Sequence, residues 1–83
     1  MEIIAYTLAG CSSCEHLKEL FRRADVSYEE KMVMKDIPLE VFQQDFPKIQ
    51  QFPFVMIDGE QIGGLFEVAK LFVQKGLVSS NKN

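Results

Sequence analysis

Short apolar segments alternate with stretches of helical periodicity along almost the whole chain, and this alternation restricts the folds that it can adopt. Four segments with apolar or β-branched residues predict strands, and three stretches with apolar residues spaced three or four positions apart predict amphipathic helices. The predicted strands cover residues 2–7, 26–33, 54–57 and 60–62, and the predicted helices cover residues 12–24, 38–46 and 65–75. The resulting order, β-α-β-α-β-β-α, indicates an α/β fold.

The connections between these elements predict how the strands pair. A strand–helix–strand crossover is almost always right-handed and places its two strands parallel, which we expect for the first two strands. Asp58-Gly59 is a strong signal for a tight turn, so the last two strands are predicted to be antiparallel. We therefore expect a mixed four-stranded sheet with helices on both faces, as one domain over residues 1–78 with a polar tail at 79–83.

Charge and cysteine content exclude several classes of function. The formal net charge of −3 disfavours non-specific binding to nucleic acid, which needs a positive face, and no apolar run is long enough for a transmembrane helix. The first residues, Met1-Glu2-Ile3-Ile4, lack the basic region of a signal peptide, so we expect a cytoplasmic protein. In that compartment the two cysteines are reduced by default, which favours a reactive or metal-binding role over a structural disulfide.

Both cysteines belong to one motif, Cys11-Ser12-Ser13-Cys14, between the first predicted strand and the first predicted helix. At a helix N-terminus, free backbone N–H groups and the helix dipole favour a thiolate, and such a position lowers a thiol pKa from about 8.5 to about 7 or below. The spacing i, i+3 places Cys14 beside Cys11 and one turn deeper. We therefore predict that Cys11 is the nucleophile and Cys14 the resolving cysteine of a disulfide exchange.

Two other roles fit this motif less well. A disulfide that closes so short a loop adds little stability, because the entropic gain grows with loop length. A zinc site usually needs four ligands, and the only cysteine and histidine residues are Cys11, Cys14 and His16. The position of the motif after a strand and before a helix favours redox chemistry.

Two further features each allow a structural and a functional interpretation. In Phe52-Pro53, the proline either starts a strand after a turn or forms a cis peptide bond that leaves the Phe52 backbone free to pair with an extended peptide. Gly63-Gly64 either ends a strand or admits a ligand's carboxylate to the N-terminal amides of the last helix. Glu67 stabilises the dipole of that helix and is also a candidate partner for an ammonium group.

Five motifs follow one another along the chain, namely Tyr6-Thr7, Cys11-x-x-Cys14, Phe52-Pro53, Ile57-Asp58-Gly59 and Ile62-Gly63-Gly64. In the order and spacing of these motifs, the chain resembles a glutaredoxin from Ile3 to Gly76. The resemblance implies the thioredoxin fold in its smallest form, with a four-stranded mixed sheet. It also implies glutathione-linked thiol–disulfide exchange, in which Cys11 is the nucleophile and Cys14 is needed for protein disulfides but not for glutathione mixed disulfides.

The resemblance also implies where glutathione binds. Pro53 is expected to be cis, the Phe52 backbone to pair with glutathione, and the glycine pair with the amides that follow it to receive the γ-glutamyl carboxylate. The implied glutathione site comprises Phe52, Pro53, Gly63, Gly64, Leu65, Phe66 and Glu67. The implied partners of a monomeric protein are glutathione and disulfide-containing proteins such as ribonucleotide reductase.

Departures from the family pattern leave two alternatives open. The active loop is Cys-Ser-Ser-Cys rather than Cys-Pro-Tyr-Cys, Leu8 replaces a common lysine, and only Glu67 remains of the acids after the glycine pair. Ser12 is compatible with a glutaredoxin whose [2Fe–2S] cluster bridges two subunits through Cys11 and glutathione. Leu8, Ser13 and Phe66 are compatible with a thioredoxin-like electron donor, for example to ribonucleotide reductase, that does not use glutathione. The short chain resembles bacterial or phage forms, and a phage protein would act in the host cytoplasm.

Overall fold

The computed structural model describes residues 1–79 of the 83, and its elements follow the predicted order β-α-β-α-β-β-α. The strands are β1 (Ile3–Thr7), β2 (Glu29–Met32), β3 (Phe54–Ile57) and β4 (Glu60–Gly63), and the helices are α1 (Ser12–Ala24), α2 (Leu39–Asp45) and α3 (Leu65–Gln74). The division into a domain at 1–78 and a polar tail at 79–83 stays a prediction, since residues 80–83 lie outside those described.

The four strands form one mixed sheet in the order β2-β1-β3-β4. β1 is parallel to β2, with Ala5 opposite Glu30, and antiparallel to β3, with Ala5 opposite Val55. β4 pairs antiparallel with β3, where Val55 is opposite Gly63. The predicted sheet is confirmed, and its topology places the end of β1, the start of β3 and the end of β4 at one edge. The two cysteines, Phe52-Pro53 and the glycine pair are therefore brought together there.

β2 begins three residues later than the sequence pattern predicts. Asp25 ends α1 in the left-handed conformation (φ 56°), and the backbone N–H of Val26 still donates to the carbonyl of Phe21 at 3.3 Å. These contacts with the last turn of α1 hold the chain against the helix, so pairing with β1 starts only at Glu29.

Helices cover both faces of the sheet, as predicted. On the face covered by α1 and α3, the buried side chains are Ile3, Ala5, Leu17, Phe21, Ala24, Val55, Ile57, Val68 and Phe72. On the face covered by α2 lies an aromatic cluster, which consists of Tyr6, Phe42, Phe46, Phe52 and Phe54. Neighbouring rings of this cluster have centroids 4.9–6.2 Å apart. The aromatic cluster packs beneath residues 52–54 and so supports the loop that leads into β3.

Candidate active site

Cys11 lies between β1 and α1, at the N-cap position of the helix. Gly10 has a φ of +73°, a conformation that residues with a side chain rarely adopt, and it turns the chain from the strand into the helix. The backbone N–H of Cys14 donates to Cys11 Sγ at 3.1 Å. The half-buried sulfur of Cys11 thus lies at the positive end of the α1 dipole, where negative charge is stabilised.

Cys14 lies one helical turn further along α1 and is buried, with 1% of its surface exposed. Its sulfur forms a disulfide with Cys11, and the two Cα atoms are 5.2 Å apart. Cys14 shares a face of α1 with Leu17 and Phe21, which are both buried against the sheet. Within the oxidised pair, Cys11 is therefore the more accessible sulfur.

Phe52 brings a second segment of the chain to the disulfide. Its carbonyl oxygen lies 3.9 Å from Cys11 Sγ, and the Phe52-Pro53 peptide bond is cis, as the resemblance implies. The ring of Phe52 packs on that of Phe42, with centroids 5.1 Å apart. The aromatic cluster thereby holds the Phe52 backbone beside the sulfur.

A groove with a volume of about 570 Å³ lies beside the disulfide. It is lined by residues 48–54 on one side and residues 62–67 on the other, together with Ser13. The seven residues predicted for the ligand site all line this groove, so the structure brings them together. Phe52 connects the groove to the disulfide, because its carbonyl oxygen is next to Cys11 Sγ.

Several groove residues are not indicated by any motif in the sequence. These residues are Ile49, Gln50 and Phe54. Their only signal is that each is close in sequence to Phe52-Pro53. Lys48, also exposed in this groove, is the basic side chain among the lining residues.

The glycine pair allows a close approach between the β4–α3 connection and two other groups. Gly63 has a φ of +125°, and a Cβ atom there would lie 2.9 Å from Glu67 Cγ. At Gly64 a Cβ atom would lie 3.3 Å from the carbonyl oxygen of Pro53. The Glu67 carboxylate accepts a hydrogen bond from the Gly64 N–H at 2.9 Å. The space beside Gly63 is thus filled by the side chain of Glu67.

Within residues 1–79, no three His, Cys, Asp or Glu side chains are close enough together to hold a metal ion. His16 is exposed on α1. Over the same residues, no helix combines the length and the apolar character needed to cross a membrane.

The family model for glutaredoxin matches residues 3–62, a range that includes both cysteines and Phe52-Pro53. The chain belongs to the glutaredoxin family. A curated relative, Glutaredoxin 1 of Rickettsia bellii (strain RML369-C), is 39% identical over 66 residues, and the match covers 75% of this chain and 67% of the relative.

Solved glutaredoxins share the fold. Glutaredoxin 1 from Francisella tularensis, complexed with cacodylate, is 23% identical with a TM-score of 0.71, and the match covers 92% of this chain and 95% of that one. A buckwheat glutaredoxin–glutathione complex is 22% identical with a TM-score of 0.71, covering 90% of this chain and 70% of that one. Family membership, the thioredoxin fold and the Cys11–Cys14 disulfide together make this glutaredoxin a thiol–disulfide oxidoreductase.

Thr7 of β1, Glu30 of β2 and Lys18 of α1 form a small polar cluster in this glutaredoxin, in which Glu30 contacts both other residues. The hydroxyl of Thr7, buried at the end of β1, donates to Glu30 Oε2 at 2.7 Å, and Lys18 Nζ lies 3.0 Å from the same oxygen. Partial burial acts to raise the pKa of Glu30, but the Thr7 hydroxyl and the Lys18 ammonium together hold that pKa below its usual value of 4.5. The hydrogen bond to Glu30 raises the pKa of Lys18 above 10.5, although desolvation opposes it.

Replacing Glu30 with Gln is expected to lower the free energy of unfolding by about 0.5–1 kcal/mol at neutral pH, as for a pair with partial solvent access. The side chains of Lys18 and Glu30 are 26% and 27% exposed. Because the pKa of Glu30 is lower in the folded state than in the unfolded state, Glu30 stabilises the fold above its unfolded pKa, and this stabilisation is lost as the pH falls through the folded pKa. Because the pKa of Lys18 is raised in the folded state, the stabilisation by Lys18 is lost as the pH rises through that raised pKa.

Urea unfolding of the wild type and E30Q at acidic, neutral and alkaline pH measures this dependence. The difference in unfolding free energy should be largest at neutral pH. E29Q, which removes the neighbouring exposed carboxylate of β2, is the control and should leave the stability unchanged. A difference between wild type and E30Q that persists unaltered in acid would contradict the ionic origin of the effect.

Proposed function

We propose that this glutaredoxin reduces protein disulfides and glutathione mixed disulfides with electrons from glutathione, using Cys11 as nucleophile and Cys14 as resolving cysteine. The proposal rests on the different burial of the two cysteines. Cys11 is half-buried at the N-cap of α1, whereas Cys14 is buried one helical turn further along. An attacking thiolate must be reached by the substrate, but a resolving thiolate needs to reach only the first cysteine.

The proposed reaction is two successive exchanges. The Cys11 thiolate attacks one sulfur of the substrate disulfide, a mixed disulfide forms, and the other sulfur leaves as a thiolate that takes up a proton. Cys14, after losing its proton, attacks Cys11 Sγ, so the Cys11–Cys14 disulfide forms and the substrate leaves as its second thiol. The substrate gains two electrons and two protons, and the dithiol loses them. Two glutathione molecules then restore both thiols and leave as oxidised glutathione.

The groove beside the disulfide is the proposed glutathione site. Phe52, whose carbonyl oxygen lies 3.9 Å from Cys11 Sγ, is placed to pair its backbone with a peptide whose cysteine reacts there. Pro53 and the segment Gly63 to Glu67 form the remainder of the site, with the γ-glutamyl carboxylate proposed at the start of α3. The glutathione complex of the buckwheat protein, which has the same fold, supports this choice of ligand. We further propose that the protein acts as a monomer in the cytoplasm.

Cys14→Ala is the variant that tests the division of roles. Alanine avoids burying an unpaired hydroxyl at this position. We expect C14A to reduce a glutathionylated peptide at a rate within the range of the wild type, because glutathione can resolve the intermediate. We expect it to lose reduction of a protein disulfide, because the mixed disulfide with Cys11 is then not resolved from within. Glutathione-coupled oxidation of NADPH by glutathione reductase measures both rates.

Trapping of a covalent complex between C14A and the protein substrate should accompany the second result. If C14A kept full activity on protein disulfides, Cys14 would not be the resolving cysteine. If the wild type reduced both substrates with dithiothreitol but neither of them with glutathione, the protein would still be a thiol–disulfide oxidoreductase, and the proposed dependence on glutathione would be wrong.

A second candidate function is that of a thioredoxin-like donor that does not use glutathione, with ribonucleotide reductase as an example of a target. One observation favours it, namely that the Glu67 carboxylate already holds the Gly64 N–H at the start of α3, where the glutathione carboxylate is proposed to bind. The [2Fe–2S] alternative stays a prediction from Ser12, with Cys11 as the protein ligand.

A further inference from the structure

Among the described residues 1–79, Phe66 is the only aromatic residue that is exposed. It is 82% exposed, whereas the other six phenylalanines are buried or half-buried. The buried residues of α3 are Val68 and Phe72, and Phe66 lies on a different face of the helix, in line with exposed Lys70 and Gln74. The core of the fold therefore does not require an apolar residue at this position.

The position of Phe66 in the groove distinguishes it from other exposed apolar residues. Single exposed apolar residues are common on protein surfaces, so exposure alone does not indicate a binding site. Phe66, however, lines the groove beside the Cys11–Cys14 disulfide together with four half-buried apolar residues. These are Ile49 and Phe52 on one side of the groove and Ile62 and Leu65 on the other. Both sides of the groove thus carry apolar surface, of which Phe66 is the most exposed part.

The charges of the groove do not favour a ligand of one sign. Its lining residues include one base, Lys48, and one acid, Glu67, whose carboxylate also accepts the Gly64 N–H. Glutathione has no large apolar side chain that could cover the ring of Phe66. A protein segment can carry such a side chain beside its cysteine, and contact between two apolar groups removes both from water, which is favourable. The exposed ring therefore fits a protein substrate.

We propose that Phe66 is a specificity-determining residue, whose ring contacts a large apolar side chain next to the reacting cysteine of a protein disulfide. The substrate segment pairs with the backbone of Phe52, whose carbonyl oxygen lies 3.9 Å from Cys11 Sγ, and the neighbours of its cysteine then lie in the groove. This inference rests on the proposed function, because it names the protein substrates of the same site. Phe66 adds a preference among protein disulfides and does not exclude glutathione from the groove.

Two peptide disulfides that differ only beside the cysteine test the proposal. Each is a symmetrical disulfide of a peptide with blocked ends and one central cysteine, which is flanked on both sides by leucine in one peptide and by serine in the other. The reduced protein is mixed with either disulfide, the reaction is quenched with acid, and mass spectrometry measures the oxidised fraction. In each reaction the dithiol becomes the Cys11–Cys14 disulfide and the peptide disulfide is released as two thiols. Rates with dithiothreitol in place of the protein correct for the intrinsic reactivity of the two peptides.

We expect the wild type to react about tenfold faster with the leucine peptide, a preference of about 1.4 kcal/mol that is smaller than the gain from full burial of a phenylalanine. F66A should abolish this preference, because the ring is lost. F66L keeps a large apolar side chain and should retain most of it. The preference should persist at high salt, because salt screens charges but does not weaken apolar contacts.

V41A is the matched control, since it shortens another exposed apolar side chain, which is 42% exposed on α2 and lies outside the groove. It should keep the preference of the wild type for the leucine peptide. Because Phe66 and Val41 are both exposed, circular dichroism should show that each variant keeps the fold.

Equal corrected rates of the wild type with both peptides would overturn the inference, as would an unchanged preference in F66A or the same loss of preference in V41A. The proposed exchange would stand in each of these cases, because the wild type still reduces a peptide disulfide. A wild type that reduced neither peptide disulfide would overturn the proposed function and this inference together.

Discussion

Cys11→Ser is expected to lower the rate of disulfide reduction by at least about 10³-fold, to the level of the uncatalysed exchange. A serine hydroxyl is not ionised at neutral pH and cannot form a mixed disulfide. Cys14 does not replace the lost nucleophile, because it is buried and lies one turn further into α1. Both substrate classes, protein disulfides and glutathione mixed disulfides, should therefore be affected equally.

C11S is expected to remove the reactive thiol without disturbing the fold. Cys11 is the N-cap of α1, and its Sγ accepts the N–H of Cys14. Serine is among the preferred N-cap residues, so its hydroxyl is expected to accept the same N–H and to keep the helix start intact. Circular dichroism and urea unfolding under reducing conditions should match the reduced wild type, while activity is lost.

Ser12→Ala is the control for changes in the same loop. Ser12 is exposed at the first position of α1 and has no part in the proposed exchange, so S12A should keep the activity of the wild type. Retention of activity by C11S would exclude Cys11 as the nucleophile. Equal loss in S12A and C11S would indicate that the loop conformation, rather than the thiol, limits the reaction.

The arrangement of strands and helices could be predicted from the sequence because its signals are local. The helical spacing of Leu17 and Phe21, the turn signal at Asp58-Gly59 and the apolar run at Phe54 are each contained within a few residues. The late start of β2 could not be predicted, because it depends on the bond from Val26 N–H to the Phe21 carbonyl after the helix has ended.

The candidate site, too, could be predicted only in part from the sequence. The motifs with Cys11, Phe52 and Gly63 are visible one by one, and the sheet topology then brings them to one edge. Contacts between side chains that are far apart in the sequence cannot be predicted from the sequence alone. The contact of Thr7 with Glu30 depends on the register of β1 against β2, which no residue pattern specifies.

The conformation of Glu67 is an intermediate case. The spacing of Gly64 and Glu67 is that of a helix cap in which a glutamate binds the N-cap N–H, and the sequence shows this spacing. The same residue is nevertheless equally compatible with a solvated carboxylate or with a partner for a ligand's ammonium group. Only the position of the side chain against Gly63 distinguishes these possibilities.

Phe42→Ala is expected to lower the free energy of unfolding by about 3–5 kcal/mol, the usual cost of removing a buried phenylalanine ring. Phe42 is 1% exposed and its ring contacts those of Tyr6, Phe46 and Phe52. A chain of this size has a total stability of roughly 5–10 kcal/mol, so the loss would be a large part of it. Urea unfolding of the reduced protein should show a lower midpoint with an unchanged slope.

Phe66→Ala makes the same chemical change at a side chain that is 82% exposed, and its effect on stability should stay within about 0.5 kcal/mol. Phe42→Leu leaves a smaller cavity, so its loss of unfolding free energy should lie between the losses in F66A and F42A. This variant remains measurable if F42A is largely unfolded.

Because Phe42 supports Phe52, whose carbonyl oxygen lies beside Cys11 Sγ, folded F42L should also reduce disulfides more slowly than the wild type. Equal stability of F42A and F66A would show that the aromatic cluster does not contribute to the fold as its burial implies, and wild-type activity in F42L would separate the cluster from the active site.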